Sequence, residues 1–136
     1  MGTCPADWAF TAVASLESLA LFKNQSLILS EQQMVDCTAT YGNLACDNGV
    51  PYQAFEYVRD HGIQTAAAYP YIEKREKCQM SGGAFKISAW HSIKGCTAIT
   101  TAILERPLCV VVNAAYWQHY NSGIFTECQN KSEANY

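Results

Sequence analysis

The stretch that decides the fold is residues 2–22, GTCPADWAFTAVASLESLALF. Nearly every position after Asp7 is apolar or small, and the hydroxyl-bearing exceptions Thr11, Ser15 and Ser18 form one narrow stripe at helical spacing. A helix that is apolar almost all round is typical of a protein core. A carboxylate just before such a helix can accept its free backbone N–H groups and interact favourably with its dipole. The pattern therefore predicts a central, buried helix capped by Asp7.

Length and composition are those of one ordinary folded domain. A chain of 136 residues is long enough to bury a real core. Its 49% hydrophobic and 15% charged residues exclude a disordered chain. A net charge of -3 gives no basic patch, so nothing indicates a nucleic-acid partner. No apolar run approaches the length of a membrane span, and the first residues do not begin a recognisable signal peptide.

The seven cysteines indicate an oxidising compartment, and their odd number leaves at least one without a partner inside the chain. Two sequons for N-linked glycosylation, at Asn24 and Asn130, are compatible with secretion, although such triplets also arise by chance. There is no close Cys-x-x-Cys pair and the three histidines are scattered. The cysteines therefore favour disulfides, and we predict no metal site and no cofactor.

The first half of the chain has helical patterns separated by loops. Ser30 with Gln33 resembles a capping box that opens a short helix through Cys37. Pro51 is at the favoured first position of a further helix that stops at Gly62. These signals predict a helical, loop-rich subdomain over residues 1–83.

The second half has strand patterns. Three segments alternate or are rich in β-branched residues: 85–90, 108–112 and 122–125. A short helix over residues 97–105 is predicted between them, closed by Pro107. Residues 84–136 are therefore predicted to form a strand-rich subdomain, and the fold class is α+β.

Several motifs together resemble the papain-like cysteine peptidases. Residues 2–10, GTCPADWAF, are similar to the family signature Gly-Ser-Cys-Gly-Ser-Cys-Trp-Ala-Phe, whose second cysteine is the nucleophile at the start of the central helix. Residues 30–37, SEQQMVDC, resemble Ser-Glu-Gln-Glu-Leu-Val-Asp-Cys, and residues 46–49, CDNG, resemble Cys-Asn-Gly-Gly. Three further motifs follow in the family's order: 69–71, 106–110 and 120–125. The resemblance covers almost the whole chain. It implies a papain-like fold whose barrel-like, strand-rich subdomain is incomplete.

The resemblance also implies a peptidase site in which the catalytic residues are substituted. Asp7 stands at the nucleophile position. Two alignments are open at the base position: one places Tyr136 there, which we prefer, and counting from Cys128 without a gap places Ala134 there. Neither residue is an imidazole, and none of the three histidines matches this position. The oxyanion glutamine would precede the signature, where this chain has Met1.

The positions of the family's substrate groove match this sequence better than the catalytic positions do. Asn48 and Gly49 match the segment whose backbone pairs with extended substrate, and glycine allows a second chain to approach closely. Pro51 and Val111 match walls of an apolar pocket for a substrate side chain. The alternative is that a loop glycine, a helix-starting proline and a strand valine need no ligand.

Cysteine pairing follows from the same resemblance. It implies two disulfides within the helical half: Cys4–Cys46 and Cys37–Cys78. The family partner of Cys128 would lie in a segment that this sequence does not contain, and Cys96 and Cys109 have no assigned partners.

These observations predict a papain-like pseudo-peptidase of the secretory pathway, in an extracellular or lysosomal-type compartment, that acts as a binding or structural component. A peptide in the groove is a possible ligand. The alternative is a fragment or altered form of an active cathepsin-like cysteine endopeptidase. Because 108–112 and 123–125 would be left as unpaired apolar edges, we also expect a second polypeptide or a larger assembly to complete the strand-rich half.

Overall fold

Helix α1, Asp7–Phe22, is the longest element of the computed structural model, which describes residues 2–79, 82–112, 114 and 117–125. The helix begins one residue earlier than the sequence predicts, and this changes the role of Asp7. The N-cap residue is Ala6, which makes no side-chain cap hydrogen bond. Asp7 is the first residue of the helix itself, so the prediction that it is the cap is wrong. Its carboxylate is still at the positive end of the helix dipole.

Only one face of α1 is buried. The side chains of that face form the centre of the core: Trp8, Ala9, Ala12, Val13, Leu16 and Ala20. On the other side Thr11 and Ala14 are exposed, and at the C-terminal end Leu21 is 59% and Phe22 68% exposed. The prediction of a central helix buried in the core is therefore confirmed for this face of α1, and the described residues leave the opposite face open to solvent.

Three further α-helices follow: α2 (Glu31–Cys37), α3 (Pro51–His61) and α4 (Cys96–Ile103), with short 3₁₀ helices at Ala39–Tyr41 and Trp117–His119. Helix α1 packs against α2 and α3. Ser30 caps α2 by accepting a hydrogen bond from Gln33 N at 3.0 Å. The reciprocal half of the predicted capping box is absent, because Ser30 N donates instead to Gln64 O at 3.0 Å. Helix α3 has the predicted bounds, with Pro51 first and Gly62 at its C-cap.

None of the three predicted strand segments forms a regular strand in the described residues. Antiparallel pairing there is limited to two isolated bridges, Leu29 with Thr65 and Ile63 with Phe85. The segments 108–112 and 122–125 are not extended ladders, and Val110 is 58% exposed. A strand is stabilised by its hydrogen-bonded neighbours. Among the described residues of the three predicted strand segments, only Phe85 has such a neighbour.

The structure forms both disulfides that the resemblance implies, Cys4–Cys46 and Cys37–Cys78. They cross-link residues 42 and 41 positions apart, and all four cysteines lie in the first half. The hydrophobic core extends as far as Phe85 and Ile87. The subdomain boundary after residue 83 stays a prediction. No helix among the described residues is both long and apolar enough to cross a membrane.

Candidate functional site

The turn that precedes α1 is fixed from the side of the 71–73 loop. Tyr71 donates a hydrogen bond from its hydroxyl to Cys4 O at 2.9 Å. Thr3 donates from its backbone N to Glu73 Oε2 at 3.2 Å and from its hydroxyl to Glu73 O at 3.1 Å. The disulfide to Cys46 holds the same turn from the other side. The start of α1 is therefore a well-positioned element.

Asp7 projects from this element into solvent. It is exposed, and its carboxylate makes no hydrogen bond or ion pair with another described residue. The free N–H groups of the first helical turn and the dipole favour an anion there. A stabilised carboxylate is a weak nucleophile, whereas a cysteine in that place would gain thiolate character from the same field.

The segment before α3 is built around the ring of Trp8. The indole N–H of Trp8 donates to Ala45 O at 2.9 Å. A Cβ at Gly49 would lie 2.5 Å from the ring carbons of Trp8, so only glycine fits beside this ring. The Asn48 side chain accepts from Gly49 N at 2.7 Å. The structure thus gives Gly49 a packing role that needs no ligand.

Three of the four predicted groove residues lie together in the structure, and the fourth, Val111, lies elsewhere in the chain. Asn48, Gly49 and Pro51 lie in one continuous segment that leads into α3, and Asn48 is exposed. Asn43, which no sequence signal marked, fixes this segment by accepting from Val50 N at 2.7 Å. Val111 is 53% exposed in the second half of the chain, so its side chain is open to solvent instead of enclosed in a pocket wall.

No described histidine takes the place of a base beside Asp7. His61 ends α3 and contacts the rings of Tyr57 and Tyr41, with centroids 4.9 and 6.2 Å away. It is one helix length from Pro51, about 15 Å for an α-helix of this size. The other two described histidines, His91 and His119, are exposed. The base candidates Tyr136 and Ala134 lie outside the described residues, as do Met1, Cys128 and Asn130.

Of the two cysteines described as free, Cys109 is held in surroundings that disfavour its thiolate. Cys96 is exposed, and Cys109 is half-buried against α1. The Cys109 thiol lies 2.9 Å from Ser15 Oγ and 3.5 Å from Thr11 O. Burial raises the pKa of the Cys109 thiol, and the hydrogen bond with Ser15 opposes this only in part. The thiol therefore stays protonated at neutral pH.

A second organised region lies between α2 and the chain that follows it. Three buried polar side chains of α2 bind this chain: Gln32, Gln33 and Asp36. Gln32 accepts from Ile72 N at 2.9 Å and donates to Lys74 O at 2.7 Å. Gln33 accepts from Gln64 N at 2.7 Å and donates to Gly82 O at 3.2 Å. The family-like motif of residues 30–37 therefore acts as a polar template for residues 64–79 and for Gly82.

Asp36 is the centre of this template. Its Oδ1 accepts from Glu76 N at 2.7 Å and from Gln32 Nε2 at 2.9 Å, and its Oδ2 accepts from the Tyr69 hydroxyl at 2.9 Å. The Tyr69 oxygen in turn accepts from Gln79 N at 3.2 Å. Burial, together with the hydrogen bond to Asp36, raises the pKa of Tyr69 to about 12.

A cavity of about 200 Å³ lies against this network, with Gln32, Asp36 and Tyr69 among its lining residues. Every buried side-chain nitrogen and oxygen of the described chain has a hydrogen-bond partner, so the network is satisfied without a ligand. Within the described ranges no group of three or more His, Cys, Asp or Glu side chains could hold a metal ion. We therefore assign this hydrogen-bond network a structural role.

Comparison with known proteins gives a consistent result. The sequence profile of the papain family cysteine protease matches residues 1–136. Cathepsin L 2 of Paramecium tetraurelia is 38% identical over 130 residues, which cover 93% of this chain and 41% of that protein. A cathepsin L-like proteinase of Phaedon cochleariae is 35% identical over 132 residues, with the same two coverages. The chain thus spans about two fifths of the length of these relatives.

Solved structures agree with the sequence matches. Digestive procathepsin L 3 of the Tenebrio molitor larval midgut superposes with a TM-score of 0.83 at 29% identity, covering 98% of this chain and 47% of that one. The Carica candamarcensis cysteine protease CMS1MS2, solved in complex with E-64, superposes with a TM-score of 0.84 at 29% identity. This match covers 98% of our chain and 66% of the protease chain. The fold is therefore the papain-like α+β fold, with its strand-rich part incomplete.

Proposed function

Because the chain belongs to the papain family of cysteine peptidases, we propose that it is a homologue without peptidase activity that acts as a binding or structural component. The observation that carries this proposal is the exposed Asp7 at the first position of α1. Family chemistry needs a thiolate at that position, activated by an imidazole. A carboxylate that the helix dipole stabilises as an anion does not attack an amide.

The base position supports the same proposal. In the preferred alignment it is Tyr136, and a tyrosine with a pKa near 10 is poorly placed to accept a proton at neutral pH. His61 is held at the far end of α3 by two tyrosine rings. Both halves of the proton-transfer pair are therefore replaced in this sequence.

A retained peptide groove is the binding function that we favour. Asn48 is exposed beside Gly49, and the Trp8 ring fixes the shape of this segment. Asn48 O already accepts from Leu44 N, and Gly49 N already donates to Asn48 Oδ1, so the backbone groups offered to a peptide are Asn48 N and Gly49 O. An extended peptide of another protein could hydrogen-bond to that backbone without being cleaved. Titration of the folded protein with an unlabelled peptide library, followed by the amide signals of residues 48–49, tests this binding directly.

Activity is tested with fluorogenic peptides and a thiol-directed epoxide inhibitor. The wild-type protein should hydrolyse the fluorogenic peptides no faster than the buffer blank does, and the inhibitor should not label position 7. Asp7→Cys alone should stay inactive, because the base is still missing, while Asp7→Cys with Tyr136→His is the matched variant that restores both groups. Time-dependent labelling at Asp7, or inhibitor-sensitive turnover by the pure wild-type protein, would overturn the proposal.

The alternative candidate is a fragment or altered form of an active cathepsin-like endopeptidase. It is favoured by the coverage of the relatives, since the chain spans only 41% of the cathepsin L proteins it matches. The intact mass and terminal sequences of the native polypeptide separate the two candidates. A cysteine at position 7 would establish the endopeptidase, and an aspartate there would leave the pseudo-peptidase.

A further part of the proposal is a partner for the second half. Large apolar side chains are open to solvent there: Ile103 at 60%, Leu104 at 82%, Val110 at 58% and Ile124 at 90%. Exposed apolar surface of this extent, at the end of α4 and in the segments that follow it, supports an association site. We infer that a second polypeptide or a larger assembly covers it. A single monomeric species of residues 1–136 that binds no hydrophobic dye would refute this inference.

The location we propose is the secretory pathway, in an extracellular or lysosomal-type compartment. The two disulfides support it, because such cross-links persist in oxidising surroundings. Recovery of both disulfides from protein isolated under thiol-blocking conditions tests it, and fully reduced native protein would exclude it.

A further inference from the structure

We propose that Asn24 is a site of N-linked glycosylation and that its sugar covers exposed apolar surface at the end of α1. The tripeptide Asn24-Gln25-Ser26 has the acceptor pattern for this modification. The pattern alone arises often by chance, so the proposal depends on what the structure adds. It rests on the secretory location proposed above and is independent of peptidase activity.

The acceptor lies on a tight, exposed turn. Helix α1 ends where Lys23 N and Gln25 N both donate to Ala20 O at 2.9 Å, while Asn24 N donates to Leu21 O at 2.9 Å. Asn24 has a φ of +58°, a left-handed conformation that asparagine tolerates better than most residues. This reversal of the chain directs the tripeptide away from the core, and all three of its residues are exposed.

The reacting groups are free. Neither the side-chain amide of Asn24 nor the hydroxyl of Ser26 makes a hydrogen bond with another described residue. In the reaction, Asn24 Nδ2 forms a bond to the anomeric carbon of a lipid diphosphate-linked oligosaccharide, and the bond from that carbon to the diphosphate oxygen breaks. The lipid diphosphate leaves with the electron pair, and the amide loses one proton. The Ser26 hydroxyl is the second group of the acceptor pattern.

A role in ending helix α1 would explain why residue 24 is asparagine. It would not explain the serine at position 26 or the exposed apolar side chains nearby. Asparagine in a left-handed turn is common after a helix, yet that role needs neither Ser26 nor an apolar border. Within four residues of Asn24 the chain exposes Leu21 at 59%, Phe22 at 68% and Ile28 at 74%. The C–H face of a sugar ring can pack on an aromatic ring, and Phe22 is two residues before the acceptor. The sugar would remove this apolar surface from water.

Occupancy is tested on the full chain secreted from a eukaryotic cell behind a cleavable leader. Intact mass is measured before and after enzymatic release of N-linked sugars, which converts the modified asparagine to aspartate and so identifies it. The wild type and Ser26→Thr should carry a sugar at Asn24. Both Asn24→Gln and Ser26→Ala should lose it, whereas the control Asn130→Gln, which removes the other sequon, should keep it.

The two disulfides provide the internal control for location. If Cys4–Cys46 and Cys37–Cys78 form and Asn24 is unmodified, the glycosylation proposal is overturned while the secretory location stands. If protein isolated from its native source lacks these disulfides, the location on which the proposal rests fails instead.

Hydrophobic-dye binding tests whether the sugar covers the apolar surface at the end of α1. Enzymatic removal of the sugar from the folded wild type should increase hydrophobic-dye binding. The same treatment of Phe22→Ser with Leu21→Ser should produce a smaller increase, because the apolar side chains are already gone. Equal dye binding before and after removal from the wild type would refute the covering role.

Discussion

Replacing Asp36 by alanine should loosen the chain between Tyr69 and Gln79 from α2. Asp36 is 5% exposed and accepts three hydrogen bonds, from Glu76 N, Gln32 Nε2 and the Tyr69 hydroxyl. Alanine removes every acceptor at once and puts nothing in their place. The change therefore tests whether the polar side chains of α2 or the apolar core hold this segment.

The expected loss depends on which donors water can reach. Hydrogen bonds to a charged group contribute about 1.5–3 kcal/mol each. Glu76 lies at the partly exposed edge of the segment, so water can replace that acceptor, and Gln32 keeps its bond to Lys74 O. The buried Tyr69 hydroxyl loses its acceptor inside the protein. We therefore expect the free energy of unfolding to fall by about 3 kcal/mol, less than three independent bonds would give.

Urea unfolding followed by circular dichroism measures this loss, and hydrogen exchange of the Glu76 amide reports it locally. Asp36→Asn should cost only about 1 kcal/mol, because its amide oxygen still accepts from Glu76 N. Asp47→Ala is the matched control: this carboxylate is exposed, and its loss should change stability by less than about 0.5 kcal/mol. A loss below about 1 kcal/mol for Asp36→Ala, with unchanged exchange at Glu76, would refute the template role.

Three further changes test other parts of the structure. Because burial, with the hydrogen bond to Asp36, raises the pKa of Tyr69 to about 12, the folded state favours the protonated phenol. Stability should therefore fall as pH rises from about 10, the unfolded value, through about 12, and Tyr69→Phe should flatten that slope in denaturant titrations. Gly49→Ala places a Cβ 2.5 Å from the Trp8 ring and should cost about 1–3 kcal/mol with altered Trp8 fluorescence, whereas wild-type stability would contradict this packing. Replacing Cys4 and Cys46 together by alanine opens a cross-link between residues 42 positions apart and should cost about 4 kcal/mol in the chain-entropy account. A loss under about 1 kcal/mol there would mean that other contacts already fix the loop.

Local signals predicted the helices of the first half well. Ser30, Pro51 and Gly62 each act on the backbone at the end of their own helix, so their effect does not depend on distant residues. The disulfides came only from the resemblance, because spacing alone does not determine which cysteines pair. The predicted cap at Asp7 is wrong because the carbonyl of Ala6 already accepts from Ala9 N and Phe10 N, so the helix starts one residue earlier.

Other features depend on distant partners and could not be predicted from sequence. Gln32, Gln33 and Asp36 are polar residues on a short helix, and a pattern of hydrophobicity places such residues at the surface. They are buried because their partners are backbone groups 31 to 49 residues further along the chain. The predicted strands failed for the same reason: 108–112 has a suitable composition, but a strand also needs a neighbour.

Fold and activity are separable in this chain because they depend on different residues. The fold of the first half rests on the Trp8 contacts, on two disulfides and on the polar template of α2. Asp7 takes no part in these contacts: it is exposed and its carboxylate bonds to no other described residue. A carboxylate at the first position of a helix is, if anything, favourable for stability. Replacing a cysteine by aspartate there would therefore remove thiolate chemistry without a cost in folding. A papain-like scaffold can in this way keep its groove while it loses its reaction, which is why family membership alone does not determine what this protein does.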